Sequence, residues 1–405
     1  MTQKIDLNNL NKSTWETFTF EDIAQKISKT VKPDQAEVDI YIGLEHIDAN
    51  DIHIRRKGVP ADVKGGKLRC YPGDVIFGKR RAYQRKAAIV DFDGICSAHA
   101  FVFRANEEII DSKLFPFFLH SDQFMHRMVD ISVGGLSPTI NWGDLKQQEF
   151  LLPPKEQQAK LAELLWAMDS VIEKELKFLE KLDITRDICE SEYLLGKFVD
   201  LPKQKTKIGN IPLSWKIVEL PKIAWFQEGP GLRNWQFKEE GIKVINVTNL
   251  VEGILDLSKT KRHVSWVEFN KTYKHFECCE GDIVIASSGN SYCKHAVIRQ
   301  KDLPLMMNTS VIRFQPLEGV NYNFLNQFLK SKIFKRQIDI LITGAAQPNF
   351  GPYHLNQILI PFPSKIETQE FIGNKLVFMD EKILELQTKI SSSKALQKSL
   401  INQVF

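Results

Sequence analysis

Two stretches of the chain carry a helical rhythm of apolar positions. In the second, Ile372, Leu376, Met379, Ile383, Leu386 and Ile390 recur in steps of four and three, the a/d seam of a coiled coil. In the first, Leu161, Leu165, Met168, Ile172 and Leu179 fall in the corresponding places. Glu175 stands where Leu386 stands in the second, with Leu176 and Leu182 as apolar neighbours, so the first seam slips or widens midway. Pro153-Pro154 and Pro361/Pro363 precede the two rhythms, and proline is tolerated only at a helix start, so both helices begin after them. A first helix running to Leu195 spans roughly 60 Å at 1.5 Å per residue. An amphipathic helix of that length cannot bury its stripe alone. Each could pack on its own domain, but matching seams favour antiparallel pairing as a spacer. Both seams look short of polar register residues, which leaves orientation to connectivity.

Short apolar runs bounded by Gly, Asp and Pro read as strands, and they occur twice. Trp15 with ETFTFEDIA matches Trp215 with KIVELPKIA, an offset of 200. Tyr41–Ile47 resembles Val244–Leu250, and Tyr71-Pro-Gly-Asp-Val-Ile-Phe77 matches Cys279-Glu-Gly-Asp-Ile-Val-Ile285, each a Gly-Asp turn before a buried strand. Ser97–Arg104 matches Asn308–Gln315, and Phe118–Ser121 matches Phe328–Ser331. Gly134-Gly-Leu-Ser-Pro138 parallels Gly344-Ala-Ala-Gln-Pro348, LLPPKEQQ parallels PFPSKIETQ, and Met168-Asp169 falls on Met379-Asp380, an offset of 211. The order is the same in both halves, so the chain is one unit written twice. The expected fold class is α+β: two mixed α/β domains separated by two long antiparallel coiled-coil helices, with an internal pseudo-two-fold repeat. The expected bounds are 1–152 and 201–361 for the domains, 153–200 and 362–405 for the helical spacers.

Composition narrows the class. The 405 residues are 43% hydrophobic and 26% charged, ordinary for a globular protein, and the net charge of +4 permits nucleic-acid binding without arguing for it. The six cysteines form no CxxC and lie near no histidine at zinc-ligand spacing, which fits a reducing compartment. The opening MTQKIDLNNLNKSTW has no apolar stretch and no run is long enough to span a membrane, so the expected location is the cytoplasm.

Local charge says more. Lys79, Arg80, Arg81, Arg85 and Lys86 lie together without an acid, with Tyr83 inside the run, just after a Gly-Asp strand. Such a loop can neutralise phosphates and place arginines on guanine edges. The equivalent loop of the second half, Ser287–His295, is polar: Asn290 could pair with adenine and Lys294 touch phosphate. Arg233, Asn234, Trp235 and Lys238, after a flexible Gly229-Pro-Gly231 turn, form another candidate DNA-contacting cluster, and Lys259, Lys261, Arg262 and His263 a third. The Gly134-Gly135 and Gln347/Asn349 segments recur while the basic loops differ, so they are expected to shape the loop that brings each domain onto its helix. No catalytic set stands out. There is no P-loop, no metal-nuclease carboxylate cluster, and Gln347-Pro-Asn-Phe350 lacks the second proline and glycine-rich loop of an adenine methyltransferase.

An apolar strand ending in prolines, then a glutamine-bearing helix start and a Met-Asp, reads FLLPPKEQQAKLAELLWAMDSVI and again ILIPFPSKIETQEFIGNKLVFMDEKI. Over its whole length the chain resembles the specificity subunits of Type I restriction-modification systems. That resemblance implies a non-catalytic protein whose two target-recognition domains read the halves of a split double-stranded DNA site. It implies two methyltransferase subunits and restriction/translocase subunits as partners, with S-adenosylmethionine, ATP and Mg on those partners and no cofactor or metal in this chain. Rival expectations are an autonomous bipartite DNA-binding regulator, whose helix exteriors would be polar, and a protein-binding scaffold.

Overall fold

The structure, a computed structural model, describes residues 12–251, 253–343 and 347–405. Most of the opening segment read above, and Gly344, Ala345 and Ala346 of the second glycine loop, lie outside the described residues. The chain divides into two units, Met1–Phe178 with Gln387–Phe405, and Leu179–Leu386.

In the first unit, a four-stranded antiparallel sheet runs Ala24–Ile27, Ala100–Ala105, Val75–Gly78, Ala87–Ile89. Val75–Gly78 is buried at every position, as its unbroken apolar run requires of an inner strand. Behind it lies a phenylalanine core, with Phe20 edge-on to Phe103 at 5.0 Å and Phe118 edge-on to Phe150 at 5.2 Å. A second sheet orders Thr30–Val31, Lys67–Cys70, Gly94–Cys96 and Tyr41–Ile42, the last pair parallel. Glu16–Thr19 pairs antiparallel with Glu149–Leu152, which leads directly into the first long helix.

The second unit repeats this plan. Its four-stranded sheet runs Ala224–Glu228, Val311–Pro316, Ile283–Ala286, His295–Val297. Ile242–Ile245 lies parallel to Leu305–Met307, as Tyr41–Ile42 does to Gly94–Cys96. Lys216–Glu219 pairs with Leu359–Phe362, the counterpart of the strand pair before the first helix. The duplication read from the sequence is therefore present in strand order and direction.

The repeated Gly-Asp has a physical reason. Gly73 and Gly281 sit at φ of +89° and +81°, the left-handed region that glycine enters freely. Each following aspartate is fully buried and closes its turn by accepting a backbone N–H, Tyr71 N to Asp74 at 3.0 Å and Cys279 N to Asp282 at 2.7 Å. Asp74 also holds Arg104 at 2.8 Å, and Asp282 holds Arg313 at 3.2 Å and Gln315 at 2.5 Å.

The long helices are Lys155–Leu194 and Ile366–Val404. The repeated glutamine clamps each helix start to its domain. The buried Gln158 side chain accepts from Asp111 N at 2.6 Å and donates to Ile109 O and Pro153 O, both at 2.9 Å. Gln369 likewise accepts from Asn321 N and donates to Pro363 O, each at 2.9 Å. Leu161 and Leu165 are buried in the phenylalanine core of the first unit, and Ile372 and Leu376 in the core of the second. Ile172 and Ile390 are also buried, whereas Met168, Leu179, Met379, Ile383 and Leu386 are half-buried.

The helices run antiparallel in both units. In the first, Asp169 meets Gln397 at 3.4 Å and Glu175 meets Lys389 at 3.1 Å, so the partner number falls as the other rises. In the second, Arg186 meets Asp380 at 2.9 Å and the Tyr193 and Phe371 rings lie 5.9 Å apart. The expectation that the seams lack polar register residues is wrong. Asp169, Glu175, Arg186 and Glu190 are all buried. Arg186 bonds Asp380, Glu190 and Gln327 together, and Lys330 reaches Asp380 at 2.7 Å. The sequence hid this because these residues sit at or beside apolar positions of a rhythm judged by its leucines.

Asp169 is held by His53 at 2.8 Å, with Glu173 at 4.0 Å from the same ring and Arg55 bridging Glu173 and Asp51. The hydrogen bond to Asp169 outweighs burial and lifts the His53 pKa above its ordinary value. The far end of the second helix completes the first unit. Ile401, Val404 and Phe405 join its core, Phe405 edge-on to Phe118 at 5.3 Å, and Asn402 exchanges two hydrogen bonds with Asp122 at 2.8 and 2.6 Å. Leu194 and Leu195 play that part in the second unit.

Two outcomes follow for stability. Asp282→Ala leaves the buried Arg313 guanidinium without its carboxylate, although Gln227, Glu277 O and His275 O still accept from it, and costs about 3 kcal/mol in chemical denaturation. The His53–Asp169 latch contributes fully below the unfolded histidine pKa near ~6.5 and is lost as pH rises through the higher folded value. The melting temperature should therefore fall across that window, and His53→Gln should flatten the fall. An unchanged slope in the variant would remove the latch from the account.

Candidate nucleic-acid interface

The basic loop of the first domain divides by function. Lys79 and Arg80 are half-exposed, and Arg81 and Tyr83 are exposed, Tyr83 at 55%. Arg85 turns inward: its guanidinium bonds Asn50 at 2.7 Å, His120 O at 2.8 Å and Asp122 at 2.8 Å. Lys86 also faces the protein, donating to Leu44 O at 2.5 Å. Both Arg81 and Arg85 take left-handed φ, 56° and 52°, flanking a tight turn at Ala82–Gln84. The outward face thus carries Lys79, Arg80, Arg81 and Tyr83, with His99 beside Arg80 at 3.4 Å. The His99 pKa is depressed, first by burial and then by Arg80, Lys79 and Lys67. Burial, with help from Lys26, lowers Lys79 as well.

The glycine segment Gly134-Gly135, expected to shape the loop that brings the domain onto its helix, is laced to the basic loop instead. It forms the turn of a small hairpin in which Val133 and Thr139 exchange hydrogen bonds at 3.0 and 2.9 Å. That hairpin is laced to the basic loop: Arg81 N donates to Pro138 O at 2.7 Å, Ile140 N to Lys79 O at 2.9 Å, and Arg81 Nε to Ser137 Oγ at 2.9 Å. The second domain repeats the lacing. Gly289 N donates to Pro348 O at 2.9 Å, and Ser288 pairs with Asn349. Here the loop exposes Asn290 and Lys294 instead of arginines. It is braced from within by Tyr292, which donates to Asp339 at 2.7 Å, and Lys335 approaches both.

The other two clusters of the second domain come together. Lys238 N donates to His263 O at 2.8 Å, and the Arg262 guanidinium lies 4.8 Å from the Phe237 ring. Arg233, Asn234, Trp235, Lys238, Lys259, Lys261 and Arg262 are all exposed, Trp235 at 72%. This surface borders the sheet of Ile242–Ile245, whereas the Asn290 loop follows a strand of the four-stranded sheet. Gly229 is not a flexible joint. A side chain there would collide with Asn308 O, so glycine is needed for close approach. Sequence reasoning missed Trp266 and Val267, exposed at 47% and 80%. They adjoin this surface because buried Gln236 bonds Glu268 at 2.5 Å and Tyr273 at 2.8 Å. Ser265 capping the short helix, accepting from Glu268 N at 3.2 Å, was the available signal.

Two further histidines are structural. His120 and His295 are pushed down to about 4 by burial, their rings bonded to Ala87 O and Asn326. Among the described residues no group of His, Cys, Asp and Glu could hold a metal ion, and no helix is long and apolar enough to cross a membrane.

A family model described as the Type I restriction modification DNA specificity domain matches residues 12–182 and 212–397. The Type I restriction enzyme MjaVIII specificity subunit of Methanocaldococcus jannaschii is 27% identical over 245 residues, 59% of this chain and 56% of that protein. The Type I restriction enzyme EcoDI specificity subunit of Escherichia coli is 27% identical over 173 residues, 40% of this chain and 37% of that protein. These alignments therefore span little more than half of the relatives at most. Among solved structures, the Type-I restriction-modification system S subunit from M. genitalium superposes with a TM-score of 0.58 at 16% identity, covering 99% of both chains. A chain from work on complex assembly and conformational transition of the type I R-M system gives 0.57 at 16% identity, covering 96% of this chain and 97% of that one. At such identity these structures speak for the fold.

The division within the basic loop is testable by denaturation. Arg85→Ala removes bonds to three partners and costs about 1–3 kcal/mol. Arg81→Ala, at the exposed face, gives up a single bond to Ser137 Oγ and costs no more than about 1 kcal/mol. Equal losses for both variants would erase the distinction.

Proposed function

As the chain belongs to the Type I restriction-modification DNA specificity family, we propose that it is the subunit that reads an asymmetric, two-part DNA site and directs adenine methylation or cleavage by partner subunits. The observation that carries this reading is one frame built twice with different chemistry at the same place. Lys79–Arg81 in the first domain and Ser288–Asn290 in the second are laced to Pro138 and Pro348 in the same way. Arginines suit phosphate and guanine, and an exposed asparagine suits adenine. Two modules joined by stiff helices read a site strongly only when both halves are engaged, so half-site spacing becomes part of specificity.

The helices supply the second part of the reading. Leu164, Val171 and Phe178 recur every seven residues along the first helix, and Phe378 stands on the second, all exposed. A self-sufficient regulator would present polar exteriors; exposed apolar stripes suit docking of methyltransferase subunits. S-adenosylmethionine, ATP and Mg would then be held by the modification and restriction subunits, with this chain non-catalytic and the complex working in the cytoplasm. Flipping an adenine from the stack requires the duplex to be held in a set register, which is what this subunit would provide.

Sequencing of methylated bases in cells that express the chain with its methyltransferase tests the reading. Methyladenine should be confined to one split motif and vanish when the chain is deleted. Methylation that persists without it, or no motif with soluble chain and intact methyltransferase, would overturn the assignment.

A further inference from the structure

The hairpin beside the basic loop carries a side chain with no place in the fold. Leu136, at its tip, is 98% exposed, and Val133 at its base is 57% exposed. A leucine left almost wholly in water forgoes the stabilisation that burial would bring. The tip is not slack. Gly134, at φ +111°, makes the reversal, and Val133 and Thr139 close the base with two hydrogen bonds. Backbone bonds from Arg81 and Ile140, and the Arg81 side chain on Ser137, tie the hairpin to the basic loop. Leu136 is therefore held out from the surface by the segment that bears Lys79, Arg80, Arg81 and exposed Tyr83.

An apolar point with the Arg81 guanidinium beside it, on a loop that also bears Lys79 and Arg80, fits one kind of partner. A protein partner would cover Leu136 with apolar surface and leave the surrounding cations uncompensated. Duplex DNA offers phosphates at the rim of a groove and apolar base surface or thymine methyl groups inside it. Apolar side chains of this size are used against bases in that way. We propose that the Val133–Thr139 hairpin is a DNA-reading element in which Leu136 contacts base surface within a groove while Arg80 and Arg81 grip the flanking phosphates. This deepens the DNA-recognition reading above and rests on it. The matching lacing at Pro348 in the second domain carries different side chains, so the contact belongs to one half-site.

The test uses the chain assembled with its methyltransferase, and DNA bearing the split motif with either half scrambled in turn. Leu136→Ala should lower discrimination at one half-site about tenfold while leaving the salt dependence of binding and the melting temperature unchanged. Arg80→Ala, whose side chain does not brace the hairpin, should instead weaken all sequences alike and reduce the salt slope by roughly one. Discrimination by Leu136→Ala equal to the unmodified complex at both half-sites overturns the proposal, as does a variant whose one defect is weaker assembly with the methyltransferase. If the unmodified complex itself discriminates neither half-site, the underlying DNA-recognition reading fails along with it.

Discussion

A long helix with an apolar stripe is unstable by itself, and the rest of this structure follows from how its two helices are anchored. Each starts on a domain through a buried glutamine, Gln158 or Gln369, that satisfies backbone groups on two sides. Each ends inside a core, Phe405 among the phenylalanines of the first unit and Leu194 in the second. Between those ends the pairing is fixed by charge as much as by leucine. Arg186 is satisfied by Asp380, Glu190 and Gln327 together, an arrangement that a shifted register would break.

The molecule separates a polar frame that is buried from a polar surface that is not. Asp74 and Asp282, and Gln158 and Gln369, bond to backbone and recur across the repeat, and in the second half Arg313, which falls on Val102 in the first, adds a buried guanidinium on Asp282. Arg81, Tyr83, Asn290, Lys294 and Trp235 face outward on loops that the frame holds still. Arg85 and Lys86 belong to the first group although charge alone places them in the second. This division lets one scaffold carry unlike loops without loss of packing.

The sequence revealed the duplication, the strands after each Gly-Asp, and the helices after the prolines, because each depends on local spacing or local backbone chemistry. It did not reveal which basic residues face outward. Five cations in one short run look alike until Asn50, His120 and Asp122 claim Arg85 from distant parts of the chain. The hairpin at Gly134 was misjudged for a related reason: recurrence pointed to scaffold, but recurrence could not say which loop the scaffold supports. The buried charges of the helix pair were hidden because a heptad shows apolar positions and not the long-range partners of the polar ones. Trp266 and Val267 were passed over because an isolated aromatic is ordinarily core.

The packing of Phe405 against Phe118 also orders events in time. Residues 401–405 leave the ribosome long after the first domain has been made, yet they fill part of that domain's core and cap Asp122. During synthesis the first domain must wait with a gap lined by phenylalanine, exposed to chaperones and to other nascent chains. Its native packing is finished only by the last turn of the second helix. The first domain therefore matures only after the second has been translated, and a chain cut before Ile401 lacks part of the core of a domain hundreds of residues upstream.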